Sequence, residues 1–140
     1  MRAVVFSPNG AMFASAGDDK KIRVYSVAND FSLMHTLEGH TNWVRPLSFS
    51  PDCTRIVSGS NDGSIRLWNP TAGSLLKKVD NAHTDYIWTV THSPHGNLIS
   101  SGGGDNTIKI WDATTLNLRR TFRQCKQTLF HPFGLPSIDK

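Results

Sequence analysis

Phe6-Ser7-Pro8 returns as Phe49-Ser50-Pro51 and again as His92-Ser93-Pro94, each time 43 positions further on. Ile22-Arg23-Val24-Tyr25 keeps the same interval, returning as Ile65-Arg66-Leu67-Trp68 and Ile108-Lys109-Ile110-Trp111. Two unrelated tracts sharing one period make the chain a tandem repeat. A unit of this size cannot bury both of its faces alone, so it must stack on its neighbours. Fold and function are then properties of the stack, and any binding surface is one that adjacent units build together.

Within a unit the local signals are those of short antiparallel strands. In the second copy Trp43–Phe49 is strand-like and ends at the Ser50-Pro51-Asp52 turn, with Pro at its second position. Arg55–Gly59 is the second strand, and Asn61-Asp62-Gly63 reads as a tight hairpin turn in which Asp-Gly takes the positive φ. Ser64–Trp68 alternates polar with apolar residues, the period of a half-buried strand, and Ser74–Val79 is the fourth. The first copy repeats the pattern at Arg2–Phe6, Ala11–Ala16, Lys21–Val27 and Phe31–Glu38. The third does so at Tyr86–His92, Asn97–Gly102, Thr107–Asp112 and Asn117–Phe122. The expected fold is all-β: three four-stranded antiparallel meanders spanning 2–123, in units of about 2–38, 40–80 and 83–123. From Gln124 to Lys140 the repeat does not restart, and two prolines and a glycine predict an irregular or disordered tail.

Composition sets limits on what the stack does. With 38% hydrophobic and 19% charged residues the chain is globular, and no apolar run approaches the ~18–20 residues of a membrane helix. The opening Met1–Phe6 is too short for the apolar core of a signal peptide. Cys53 and Cys125 are the only cysteines, so neither a disulfide framework nor a Cys-rich metal site is expected, and the implied compartment is reducing and intracellular, cytoplasm or nucleus. The net charge of +4 is a mild basic bias. It fits a solvated surface, with nucleic-acid association as the alternative.

Gly39-His40, Ser58, Asp62 and Trp68-Asn69 match His83, Ser101, Asp105 and Trp111-Asp112 at one spacing, and the first unit supplies Ser15, Asp19 and Tyr25, its Gly-His falling before Met1. On these residues the chain resembles the WD-repeat β-propeller family over roughly residues 2–123. The quartet has a physical sense of its own. An indole N–H can donate to the Ser hydroxyl, that hydroxyl to an imidazole, and the other imidazole nitrogen to the carboxylate. Such a shielded network fixes strand register and loop geometry. Ser, His and Asp are also the parts of a hydrolase triad, but this set recurs in successive units and no nucleophile elbow accompanies it, so the expectation is a structural network and no enzyme.

Other chemistry is weaker. His92 and His95 flank Pro94 with no further ligands nearby, which reads as a polar turn and not a metal site. Gly102-Gly103-Gly104 lacks the Lys-Ser/Thr of a phosphate loop. No cofactor is expected. Cys53 takes the turn position of Gly10 and Gly96, which predicts an exposed or semi-exposed thiol.

The resemblance implies a rim, formed by the loops entering each unit and the turns between second and third strands, where proteins or peptides bind. Carried over by position, that rim comprises Trp43, Arg45, Tyr86 and Trp88, with Asp18, Asn61 and Gly104 beside them. Val44 and Ile87 alternate to the opposite face. The expected role is a non-enzymatic protein-interaction scaffold. The alternative is a nucleic-acid-associated propeller of RNA-processing or chromatin assemblies, using Lys20, Lys21, Arg66, Lys77, Lys78, Arg119 and Arg120. A basic residue two positions after Trp-Asp, often seen in substrate receptors of ubiquitin ligases, is replaced by Thr71 and Thr114. Closed rings of the family generally need six to eight units. Three units therefore suggest an open arc: a fragment or truncated form of a longer propeller first, then a half-ring that self-associates through its open edges, then a stable wedge.

Overall fold

The computed structural model describes residues 1–123, so the tail expected at 124–140, with Cys125, lies outside the described residues. Twelve strands run in chain order: β1 Ala3–Phe6, β2 Met12–Ala16, β3 Ile22–Ser26, β4 Ser32–Leu37, β5 Val44–Phe49, β6 Ile56–Ser60, β7 Ile65–Asn69, β8 Ser74–Val79, β9 Ile87–His92, β10 Leu98–Gly103, β11 Thr107–Asp112 and β12 Leu118–Arg123. They form three separate four-stranded meanders, β1–β4, β5–β8 and β9–β12, each antiparallel and not closed into a ring. Strand ends agree with the sequence reading to within a residue.

The period-2 pattern decides which side of each sheet meets a neighbour. In the first blade Met12, Ala14, Ala16, Ile22 and Val24 face the second, where Val44, Phe49, Ile56 and Trp68 complete a buried cluster. The other face of the second blade, carrying Val57, Ile65 and Leu67, packs on Ile87, Val90, Ile99 and Trp111 of the third. Each junction therefore buries one face from either side, and the middle blade buries both of its faces, as the repeat demands. The last strand of each blade is outermost, and β8 and β12 are almost wholly exposed. On the outer flank of the first blade Phe13 stacks on Tyr25 with centroids 4.8 Å apart, and Phe6 and Phe31 pack against Phe13 at a tilt.

Two kinds of irregularity recur with the period. Pairing of the third and fourth strands slips between Val24 and Tyr25, between Leu67 and Trp68, and between Ile110 and Trp111. A bulge there sharpens the local twist just before the aromatic residue. The first strand slips as well: between Val44 and Leu47 in β5, and opposite Gly102 and Gly103 in β9, where Trp88 is the extra residue. Arg45, Pro46 and Trp88 thus sit in bulges that turn their side chains out of the ladder, and Pro46 has no N–H to lose there.

The turn chemistry matches the tight turn expected at Asn61-Asp62-Gly63 and differs from the sequence expectation at Cys53. Gly63 alone has positive φ (80°), and its N–H bonds Ser60 O at 3.1 Å, with Lys20 and Asn106 in the same left-handed conformation at equivalent places. Cys53, expected to expose its thiol, is only 8% exposed. Its left-handed φ of 66° folds Sγ back toward the Pro51 carbonyl, 3.9 Å away, so the backbone that suits glycine tucks the side chain into its own turn.

Candidate functional site

The repeated polar residues assemble in the second and third blades. His40 reaches in from the loop before β5 and Ser58 from β6, Asp62 from the following turn and Trp68 from β7. Trp68 Nε1–H donates to Ser58 Oγ at 2.9 Å, Ser58 Oγ lies 2.7 Å from His40 Nε2, and His40 Nδ1 lies 3.0 Å from Asp62 Oδ2. In the third blade Trp111, Ser101, His83 and Asp105 repeat this at 2.8, 2.8 and 3.0 Å. A carboxylate only accepts, so Nδ1 carries the imidazole proton and Nε2 accepts from the Ser hydroxyl. Burial disfavours ionised Asp62, yet hydrogen bonds from His40, Ser64 and the Thr41 amide outweigh it and hold the carboxyl well below the usual carboxylate range. Asp105 is lowered likewise, burial being overcome by Thr107, His83 and the Thr84 and Thr107 amides.

A fifth group in each set is absent from the sequence reading. Ser64 donates its hydroxyl to Asp62 Oδ1 at 2.6 Å, and Thr107 to Asp105 Oδ1 at 2.7 Å. The signal was present: a hydroxyl stands two residues after the turn Asp in both units, whereas the first unit has Lys21 there.

The first blade corrects one expectation. Ser15, Asp19 and Tyr25 hold equivalent positions but are not linked. Ser15 is buried without a side-chain hydrogen bond among the described residues, and Tyr25 stacks its ring on Phe13. With no imidazole to bridge them, Asp19 turns outward and pairs with Arg23 at 2.7 Å, which lowers its pKa. The bridging His holds the other two sets together.

Ser58 and Ser101 are buried, 0% and 1% exposed, with their oxygens engaged by indole and imidazole. No substrate carbonyl can approach them, so the arrangement is unsuited to nucleophilic catalysis. Among the described residues no group of three His, Cys, Asp or Glu side chains is placed to hold a metal ion.

The remaining predicted residues gather on the edge where those loops emerge. Trp43, Tyr86 and Trp88 are 36%, 43% and 55% exposed, while Val44 and Ile87 between them are fully buried. The Arg45 guanidinium lies 4.8 Å from the Trp88 ring centroid, 5.6 Å from Trp43 and 5.8 Å from Tyr86, drawing residues of two blades into one cluster. Its Nε–H donates to Asn61 Oδ1 at 2.6 Å. Beside it Arg2 lies 4.3 Å from the Trp43 centroid and donates to Asp18 at 2.6 Å. The sequence named the members of this cluster but not the central position of Arg45, which depends on the β5 bulge.

At the opposite end a cavity of about 250 Å³ lies between the turns of the second and third blades, lined by Asp52, Arg55, His92, His95 and Thr114 among others. His92 replaces the Phe of the other two copies. Burial lowers its pKa to about 4, with Asp52 opposing and Arg55 reinforcing the shift. Of the basic residues considered for nucleic acid, Arg66 is buried, and Lys21, Lys78 and Arg119 pair with Glu38, Asp80 and Asp112. No helix among the described residues is long and apolar enough to cross a membrane.

Comparison with known proteins agrees with the architecture. The family described as "WD domain, G-beta repeat" matches residues 1–26, 31–69 and 73–112. A stretch of 43 residues, 31% of this chain, is 56% identical to "Probable serine/threonine-protein kinase PkwA" of Thermomonospora curvata, of which it covers 6%. Stretches of 45 residues are 40% identical to "WD repeat and SOCS box-containing protein 1" of Homo sapiens and of Xenopus tropicalis, covering 11% of each. The alignment with each relative is thus about one repeat long and leaves most of that protein unmatched. The family match reaches into all three blades and covers well over half of the chain, and the chain belongs to the WD40 family.

Proposed function

We propose that this chain is a non-enzymatic protein-interaction scaffold that binds its partner through the rim at the junction of the second and third blades. WD40 domains generally serve as interaction scaffolds, and the specific role here rests on one observation: three exposed aromatic side chains, Trp43, Tyr86 and Trp88, gather around Arg45. Trp, Tyr and Arg dominate binding hot spots because they bury large area at small conformational cost. Bulges at Arg45 and Trp88 aim these side chains outward without disturbing the core. The His–Ser–Asp–Trp sets act beneath the rim, holding the loops that carry it.

The test compares proteins retained from source-cell extract by the wild-type chain, by Trp88→Ala with Tyr86→Ala, and by Thr114→Ala at the opposite end. A defined set retained by the wild type and by Thr114→Ala, and lost from the rim variant with its circular dichroism unchanged, supports the rim. Retention that ignores the rim variant refutes it.

A further inference from the structure

Arg2 and Arg45 occupy the same position of successive repeats, and Trp88 takes it in the third. Asp18, Asn61 and Gly104 form the matching series in the turns opposite. The geometry is conserved across the first two: Arg2 Nε–H donates to Asp18 Oδ1 at 2.6 Å, and Arg45 Nε–H to Asn61 Oδ1 at 2.6 Å. The charge is not. Asp18 neutralises Arg2, whereas the Asn61 carboxamide satisfies one N–H of Arg45 and leaves its charge uncompensated. No carboxylate among the described residues reaches the Arg45 guanidinium. Aromatic rings of both blades surround it, so it is also partly screened from water.

We infer that Arg45 is the receptor for a carboxylate side chain of the partner, which is therefore an acidic peptide segment docking on the aromatic rim. This deepens the rim reading and rests on it. With only its Nε–H engaged among the described residues, the Arg45 guanidinium keeps its Nη–H groups to donate, and these suit the two oxygens of a carboxylate. The flanking rings lower the local dielectric, so the charge-assisted bond is stronger there than in open water. Trp88 and Tyr86, their rings in an edge-on arrangement 6.3 Å apart, supply apolar area for the peptide chain on either side of the acid. The site favours one carboxylate over a run of phosphates. Asp85 lies on the same rim, its carboxylate accepting from the Tyr86 amide at 2.7 Å, and would repel a polyanion. The sequence alternation from Asp18 to Asn61 thus moves the counter-charge from the chain to its partner.

The experiment measures fluorescence anisotropy of three labelled peptides, identical but for a central Glu, Gln or Lys flanked by Phe and Leu, with the full chain. The expected result is binding of the Glu peptide about tenfold tighter than the Gln peptide, with Lys weaker still. In Asn61→Asp, which reproduces the first blade's own pair and is expected to fold, the Glu preference should fall to about twofold or less, as for an exposed pair. Arg45→Gln should do the same. Equal binding of Glu and Gln, tightest binding of Lys, no binding of any peptide, or displacement of the Glu peptide by a single-stranded oligouridylate would overturn the inference. A partner whose retention is lost with the Trp88 and Tyr86 variants but unchanged by Asn61→Asp and Arg45→Gln would leave the rim reading standing and remove this one.

Discussion

Thr107 donates its hydroxyl to Asp105 Oδ1 at 2.7 Å, and the same oxygen atom of Thr107 stands 2.9 Å from His83 Nδ1. The threonine therefore clamps the carboxylate against the imidazole it serves. Thr107→Val keeps the shape and removes the hydroxyl from a buried place. It should cost about 1–2 kcal/mol in urea denaturation followed by circular dichroism. An unchanged midpoint would mean that the network does not depend on this fifth member.

Serine at the second-strand position should matter only where the imidazole is present. Ser101→Ala strands the Trp111 indole N–H and the lone pair of His83 Nε2 in a buried site, at an expected cost of about 2–3 kcal/mol. Ser15→Ala in the first blade removes no side-chain hydrogen bond seen among the described residues and should change stability by about 0.5 kcal/mol or less. Equal losses for the two would show that the network adds nothing to burial of the serine itself.

Acid should destabilise the folded chain through the turn aspartates. Their folded pKa values lie below the ordinary value of 3.8, so their contribution is fully present above about pH 4 and is lost as pH falls from there toward the folded values. Asp105→Asn should lower the unfolding midpoint at neutral pH and flatten its decline below pH 4. A parallel decline in the two proteins would place the acid sensitivity elsewhere.

His92 adds a second, higher window. Its pKa falls from 6.5 to about 4 on folding because burial disfavours the cation, so stability present above pH 6.5 declines as pH drops toward 4. His92→Phe installs the residue of the other two copies and should abolish this part of the pH profile. Retention of the slope between pH 6.5 and 4 in that variant would assign it to another group.

Gly63 is fixed by conformation and by space together. Its φ is 80°, and a Cβ there would lie 2.7 Å from the carbonyl oxygen of His83, across the junction with the third blade. Gly63→Ala should cost about 2 kcal/mol or more, since neither the backbone nor the carbonyl can yield cheaply. A loss below about 0.5 kcal/mol would contradict this packing of turn against loop.

Much of the architecture was legible because its determinants are local and repeated. The alternation in Ser64–Trp68 marks a strand, though not the half-buried one expected, because the middle blade is covered on both faces and Ser64 and Arg66 are buried beside Ile65 and Leu67; Ser-Pro-Asp marks a turn by its own dihedral limits. The quartets of the second and third blades were legible for a related reason: their four members recur at one interval, so their proximity in one unit implies it in the next. Misreadings came where a contact depends on something the interval does not encode. Tyr25 holds the Trp position, but Phe13 beneath it captures its ring. Cys53 holds a Gly position, but the left-handed turn hides its thiol.

The amino-acid order by itself determined the three copies, the strands within them, the face each turns to its neighbour and the repeated polar sets. These follow from periodicity, turn sterics and burial of alternate side chains. Only the tertiary structure decided which side chains from different blades meet. The Arg45 guanidinium among Trp43, Tyr86 and Trp88 is set by a bulge in β5 and by the angle between adjacent sheets. The seating of His92 between the second and third blades is set by the same packing. The physical reason is reach: a strand's own pattern tells which face a residue occupies, but distance across an interface depends on twist and offset, to which both sheets contribute.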